Sequence, residues 1–388
     1  MNISLRPEIE AIRDEIIDNR RHFHMHPELG LQEYETARFI SEKLSGLGME
    51  VSTKVGQTGV VALLRGADGP CVGLRADMDA LPIQETGKAD YKSVNDGVMH
   101  ACGHDGHMAM LLGAAEALSK KRDNLSGTVK FIFQPAEEGL GGARYMIDDG
   151  VLSNPKVDEI YGIHLWNYQS FGTVGIQPGP VLAAADEFVI KVKGKGGHGA
   201  MPHGTVDAIV VSAHLITALQ TIVSRNTNPL ESTALTVGVI EGGYNFNIIS
   251  DEVILKGTAR SYTEENRAMI SRRLQEICDG ISASFGAEIE VNYHDGYPPT
   301  VNSIVESENV TSAAVKIVAE GVQPPYLTMG AEDMSYYLME VPGCFFFLGS
   351  APEGERVPHH CSHFDINEEA LLVGSSILVE LVEERLKG

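Results

Sequence analysis

Cysteine is scarce in this 388-residue chain: Cys71, Cys102, Cys278, Cys344 and Cys361 are widely spaced and odd in number. A chain this long needs no covalent staples, so the five read as reduced thiols rather than a disulfide framework. Basic residues are also short, 30 against 53 acidic for a net charge of −23, and no Lys/Arg block offsets this locally. That excludes nucleic acid and anionic membranes as expected partners. No continuous apolar run approaches the roughly 18 residues of a membrane span. The N-terminal MNISLRPEIEAIRDEII carries acidic residues where a signal peptide needs a basic flank and an apolar core. It reads as the first helix of the mature protein, and the expected compartment is the cytoplasm. Aromatics are few (6%), but hydrophobic residues at 43% and charged residues at 21% fit a globular chain, not a disordered or fibrous one.

The length exceeds that at which one core usually keeps growing, so two domains are expected. Ile9, Ile12, Ile16 and Phe23 recur at helical spacing, and Phe39 or Ile40, Leu44 and Leu47 repeat the pattern, so the chain opens with helices. Between them, His22, His24 and His26 read as packing and turn residues. From Gly59, VVALLRG, CVGLRADMD and TVKFIFQPAEEG are short apolar runs suited to buried strands, and VDEIYGIHLW reads as a strand ending at His164. MAMLLGAAEALSK is a helix with small residues on its packed face, and a later helix is expected near Val310–Glu320. Residues 185–297 leave this layered pattern and order themselves as βαββαβ, a ferredoxin-like unit with its own core. The expected fold is therefore α/β: a mixed sheet flanked by helices over 1–184 and 298–388, interrupted by an inserted ferredoxin-like domain. The open edges of that domain's antiparallel sheet suit pairing with a second copy, a homodimer.

Ligand chemistry concentrates in MHACGHDGH, residues 99–107, where His100, Cys102, His104, Asp105 and His107 share one glycine-bearing loop. Imidazole and thiolate are the best protein ligands for zinc and its neighbours. Asp77 and Asp79 stand where a buried strand ends, the usual place for a site in an α/β sheet. Glu137 and Glu138 follow another strand beside a glycine-rich bend. Adjacent carboxylates there can point apart, one to a metal and one to substrate, the division of labour that metal-assisted hydrolysis needs. His164 marks the third strand end in sequence to carry a ligand-type side chain, and His359, His360 and His363 cluster before the last helix, one of them a ligand. Cys102, His104, Glu138, His164 and one of this last group exceed the three or four ligands of one catalytic zinc, and two metals sharing a bridging ligand fit the count. In the insert, the glycine-rich GKGGHGAMPHG holds His198 and His203 in a turn that suits a histidine reaching toward a ligand, and Arg260 is a candidate carboxylate clamp.

In order, HMHPELGLQE, VGLRADMDALPIQE, MHACGHDGH, QPAEEG, GIHLW, KGGHGAMPHGTVDAI, NIISDEVILKGTAR, GAED and HHCSHFDINEE resemble the M20 metallopeptidase family, in its branch of N-acyl-amino-acid and hippurate amidohydrolases. The resemblance spans essentially the whole chain. It implies a two-metal aminopeptidase-like catalytic domain split by a dimerising lid. Carried over, Cys102 is the bridging ligand, with His104, Glu138, His164 and His360 completing two sites for zinc, manganese, cobalt or nickel. The spacing to FDIN favours His360 over His363. Glu137 is the general base that deprotonates a metal-bound water and later protonates the leaving amine. Asp79 resembles an aspartate that orients a ligand histidine, and His198 a lid residue that stabilises the oxyanion, reaching a partner subunit's site. Asn247 and Arg260 resemble residues holding the substrate carboxylate. The implied reaction hydrolyses a small N-acyl amino acid to a carboxylic acid and a free amino acid. A dipeptidase or carboxypeptidase of the same architecture is the runner-up. A metal-containing binding protein without turnover is disfavoured by the presence of Glu137 beside Glu138.

Overall fold

The computed structural model describes residues 3–354 and 357–387. The chain forms two compact units, one from 1–181, 301–327 and 333–388, the other from 182–300 with 328–332. In the first, an eight-stranded mixed sheet runs in the order Glu50–Val55, Gly59–Arg65, Ser126–Gln134, Ala67–Asp77, Glu159–Ser170, Gly343–Ala351, Val174–Gly175, Val322–Gln323. The four strands from Ser126–Gln134 to Gly343–Ala351 are mutually parallel. Parallel strands need cover on both faces, which is why they read as continuous apolar runs. Leu74, Phe131, Tyr161, Ile163 and Phe346 join one core with the helices His104–Ser119, Ile304–Val318 and Glu369–Arg385. Phe345 and Phe347, equally buried, alternate to the other face.

The helix His104–Ser119 is buried along nearly its whole length because small residues let it approach its neighbours. A Cβ on Gly106 would stand 2.3 Å from Leu165 Cδ1, and one on Gly374 2.1 Å from Met110 Sδ. Two expectations are corrected. The strand carrying His164 continues to Ser170, since Trp166 and Ser170 pair with Gly349 and Ala351, so His164 is inside a strand rather than at its end. The helix expected near Val310 begins at Ile304, directly after Ser303.

The second unit is a four-stranded antiparallel sheet in the order Thr233–Gly242, Glu252–Ser261, Ala184–Lys193, Glu288–Tyr297, with helices Ala208–Thr221 and Glu264–Phe285. This is the ferredoxin-like order. Both helices start on side-chain caps, Asp207 accepting from the amides of Ile209 and Val210 and Thr263 from that of Asn266. Phe188, Ile190, Leu215, Leu255, Leu274 and Cys278 form its core. The unit is wider than 185–297: the strip 328–332 joins it through Tyr262 Oη donating to the Thr328 carbonyl (2.7 Å) and the Ala183 amide to the Gly330 carbonyl (2.8 Å). By length and composition, Ala208–Asn226 is apolar enough to cross a membrane. The absence of a continuous apolar run hides this, because Ser212, His214, Thr217 and Gln220 interrupt the stretch without charging it. Its Ala208, Val211, Leu215 and Leu219 pack into the unit's own core.

Phe188 is fully buried in that core. Phe188→Ala is expected to destabilise this unit by about 3–5 kcal/mol, read as a lowered urea midpoint; a loss under about 1 kcal/mol would contradict the packing described.

Candidate metal centre

The loop before the helix His104–Ser119 turns at Gly103, whose φ of 94° is natural only for glycine, and delivers Cys102 and His104 to one spot. His104 Nδ1 donates to the Asp79 carbonyl at 2.8 Å, which orients the ring and leaves the buried Nε2, with no hydrogen-bond partner, as the atom a cation would take in place of its proton. His164 repeats the device: Nδ1 donates to the Leu165 carbonyl (2.6 Å), and Nε2 lies 3.6 Å from Cys102 Sγ. Glu138 Oε1, also buried without a well-aligned hydrogen bond, lies 3.3 Å from His360 Nε2. Orphaned polar atoms are rare in protein interiors. Here they converge, as a cation site requires.

The donor atoms sort into two overlapping triads, Cys102–His104–His164 and Cys102–Glu138–His360, each within a 4.8 Å span. Cys102 belongs to both. The donor set, one thiolate shared by two groups of imidazole and carboxylate, fits two divalent cations with a bridging sulfur. Three further groups fall within the same span among the described residues; one of them joins Glu137, 6% exposed, to His104 and Glu138, so Glu137 stands beside the two triads.

Among the last histidines, His360 is the one whose ring nitrogen lies within 4.8 Å of donor atoms of Cys102 and Glu138. Its amide donates to the Ala101 carbonyl (2.8 Å), and its backbone is left-handed, φ 62°, a strained conformation of the kind found where a side chain must be aimed. His360 and His363 are both exposed, but His363 joins none of these groups. His359 is half-buried beside Trp166 and Phe364, accepts from the Asn167 amide through Nε2, and approaches Cys102 Sγ only to 3.9 Å. His107 is fully committed: Nδ1 donates to Asp77 (2.6 Å), and Nε2 accepts the Leu165 amide (2.9 Å), fixing the backbone next to His164.

Asp79 faces His104 with both its carbonyl, at 2.8 Å from Nδ1, and its carboxylate, whose Oδ1 lies 3.4 Å from the same nitrogen, while Oδ1 and Oδ2 also accept the amides of Glu137 and Glu138, each at 2.9 Å. The metal-free electrostatics agree with a cation site. His360 is pushed up to about 10 by Cys102 and Glu138. Burial opposes a charge on His104, yet Asp77 and the contact with Asp79 hold its pKa well above the ordinary range. Burial raises the Cys102 thiol, whereas burial and His107 push His164 well below its usual value. His360, His104 and Cys102 thus hold protons that a metal displaces, while His164 already presents a bare Nε2.

Sequence reasoning missed the frame behind the ligands. Arg75, buried, donates to Gln134 Oε1, Asp77 Oδ2 and Asp333 Oδ1, all at 2.8 Å, and Asp333 also accepts from Gln134 Nε2 and the Ala143 amide. Asp333 closes the GAED turn, and a charged pair RAD at a buried strand end was the only signal available. Arg20, equally buried, donates to Asp105 and Asp365, and His24 Nδ1 lies 2.7 Å from the same Asp105. The histidines before Pro27 thus pack and brace, as read: His22 stacks on Phe39 with ring centroids 4.2 Å apart.

The three lid candidates lie in the second unit. His198 and Ile248 pair in a short two-stranded ladder that places Asn247 next to it. His198 Nδ1 accepts the Ala200 amide (3.0 Å), which puts its proton on Nε2 and makes that edge a donor. Arg260 is half-buried, donates to Thr258 Oγ1 and the Met329 carbonyl, and makes no ion pair among the described residues.

Cys102→Ala is expected to cost both metals and His360→Ala one, while His363→Ala keeps two, as read by metal analysis of dialysed protein. Retention of two metals by Cys102→Ala would refute the shared thiolate.

The model of peptidase family M20/M25/M40 matches residues 73–384. The chain is 41% identical to an N-acetyl-L-cysteine deacetylase of Bacillus subtilis (strain 168) over 379 residues, covering 97% of this chain and 90% of that one. It is 45% identical over 296 residues to an N-acyl-L-amino acid amidohydrolase of Geobacillus stearothermophilus, covering 76% of this chain and 80% of that one. The crystal structure of Bacillus subtilis YXEP, a dinuclear metal-binding peptidase from the M20 family, superposes with a TM-score of 0.86 at 34% identity, over 97% of this chain and 99% of that one. With ligand triads, family match and relatives in agreement along nearly its full length, the chain belongs to peptidase family M20/M25/M40.

Proposed function

We propose that this protein hydrolyses N-acyl amino acids, hippurate-like or N-acetyl, to a carboxylic acid and a free amino acid. The observation that carries the reading is the position of Glu137, a buried carboxylate beside the two triads but outside both. Two divalent cations held by Cys102, His104, Glu138, His164 and His360 supply Lewis acidity toward the amide carbonyl and lower the pKa of water. Zinc, manganese, cobalt and nickel all suit these donors. Glu137 takes the proton of the attacking water and returns it to the leaving nitrogen. Asp79 holds the Glu137 amide and, through its carbonyl, the His104 ring. His198 offers its Nε2–H to the developing oxyanion, and Asn247 and Arg260 bind the substrate carboxylate; the free guanidinium edge of Arg260 supports this. Relatives named for N-acetyl-L-cysteine and N-acyl-L-amino acids support the substrate class.

We assign residues 185–297 to a lid and dimerisation domain and the protein to the cytoplasm, consistent with five unpaired cysteines among the described residues. Tyr244, Phe246 and Ile248 are exposed there, Phe246 by 97%, and Thr233–Gly242 is a sheet-edge strand. Apolar exposure beside an open edge suits a second copy.

A panel of hippurate, acetyl-amino acids and dipeptides, assayed with metal-loaded protein, is expected to show turnover on the acylated amino acids. Glu137→Ala should lower kcat at least about 100-fold while keeping both metals; near wild-type kcat would refute the base assignment, and dipeptides as sole substrates would refute the substrate class. Sedimentation should give a dimer that Phe246→Asp converts to monomer. A monomeric wild type would end the dimer assignment.

A further inference from the structure

Ala136, immediately before Glu137, has φ 57°, a left-handed backbone that a residue with a Cβ adopts only when its surroundings impose it. Its amide donates to Glu33 Oε1 at 2.9 Å, and Glu33 Oε2 takes the Thr58 hydroxyl at 2.5 Å. Glu33 is wholly buried, so its carboxylate is held in one place. The Ala136 carbonyl accepts the Gly142 amide (3.0 Å), and the next two amides, of Glu137 and Glu138, belong to Asp79. Three consecutive amides are therefore gripped by two carboxylates, one from each side of the bend. The segment bearing Glu33 is itself anchored beside Asp79, since the Ala80 amide donates to the Glu28 carbonyl at 2.8 Å. A Cβ at Gly30 would meet Ala136 at 3.2 Å, so the two stretches are in close contact.

We propose that Glu33 is a positioning residue for Glu137: by holding the Ala136 amide it keeps Ala136 left-handed, and that conformation sets where the following carboxylate projects. The inference rests on Glu137 being the proton-transferring group. Glu33 touches neither substrate nor metal and acts only through the bend. The motif HMHPELGLQE carried this glutamate with no role attached.

Five variants test it: Glu33→Ala, Glu33→Gln, Glu33→Ala with Ala136→Gly, and, should Glu33→Ala not fold, Thr58→Val alone and with Ala136→Gly. On whichever substrate the wild type cleaves fastest, Glu33→Ala should lower kcat on the order of 10- to 100-fold with KM and metal content little changed. Glu33→Gln, which still presents an oxygen to the amide, should recover most of this. Adding Ala136→Gly should also recover activity, because glycine occupies the left-handed region without being held there. A loss from simple packing damage would not be relieved by removing another methyl group. Thr58→Val should give a smaller kcat loss, again relieved by Ala136→Gly. Independently of turnover, hydrogen exchange in metal-free protein should show faster exchange confined to 134–139 in Glu33→Ala and wild-type protection in Glu33→Gln. Unchanged kcat and exchange in Glu33→Ala, or a loss that neither glutamine nor Ala136→Gly relieves, would overturn the proposal. Absence of any N-acyl amino acid turnover by the wild type would instead overturn the functional reading, leaving the exchange experiment to decide the role of Glu33.

Discussion

One buried carboxylate, that of Asp79, accepts two successive backbone amides, and the chemistry of the site hangs from it. A carboxylate with almost no solvent contact is stable only if its oxygens find donors. The amides of Glu137 and Glu138 meet that need, so the strand end at Asp77 and the bend after Gln134 are locked together. The same residue's carbonyl orients the His104 ring. A ligand and a neighbouring acid–base carboxylate are thereby placed relative to one another by one side chain and one peptide group, before any cation arrives.

Behind it stands a frame of buried charge. Arg75 joins Asp77, Gln134 and Asp333, and Asp77 passes the constraint through His107 to the backbone beside His164. Removing one partner from such a network costs about 3–5 kcal/mol because it strands the others. Rigidity of that kind is what keeps orphaned polar atoms such as His104 Nε2 and Glu138 Oε1 pointed at each other instead of collapsing onto nearby partners.

Legibility in the sequence followed the range of the interactions. MHACGHDGH and the Glu137–Glu138 pair were readable because their residue types and their strand or glycine context lie within a few positions of each other. Helices of the inserted unit were readable from period alone, as was its βαββαβ order. The strip 328–332 was not, since Tyr262 and Ala183 claim it from far along the chain. Arg75, Asp333, Arg20 and Glu33 were invisible as functional supports for the same reason: a charged residue in a buried element has no local signature of its partner. Spacing to FDIN already favoured His360 among the last histidines, but its left-handed backbone and the hydrogen bond from its amide to Ala101 are not encoded locally. Nothing in the sequence signalled that the Asp79 side chain, besides lying 3.4 Å from His104 Nδ1, accepts the amides of Glu137 and Glu138.

The central claim is that one thiolate joins two cation sites. Its most direct test is an anomalous difference map from crystals of the manganese- or zinc-loaded protein. The account predicts two peaks, both within bonding distance of Cys102 Sγ, about 2.3 Å for zinc, one also near His104 and His164 and the other near Glu138 and His360. A single peak, or two peaks that do not share Cys102, would contradict it.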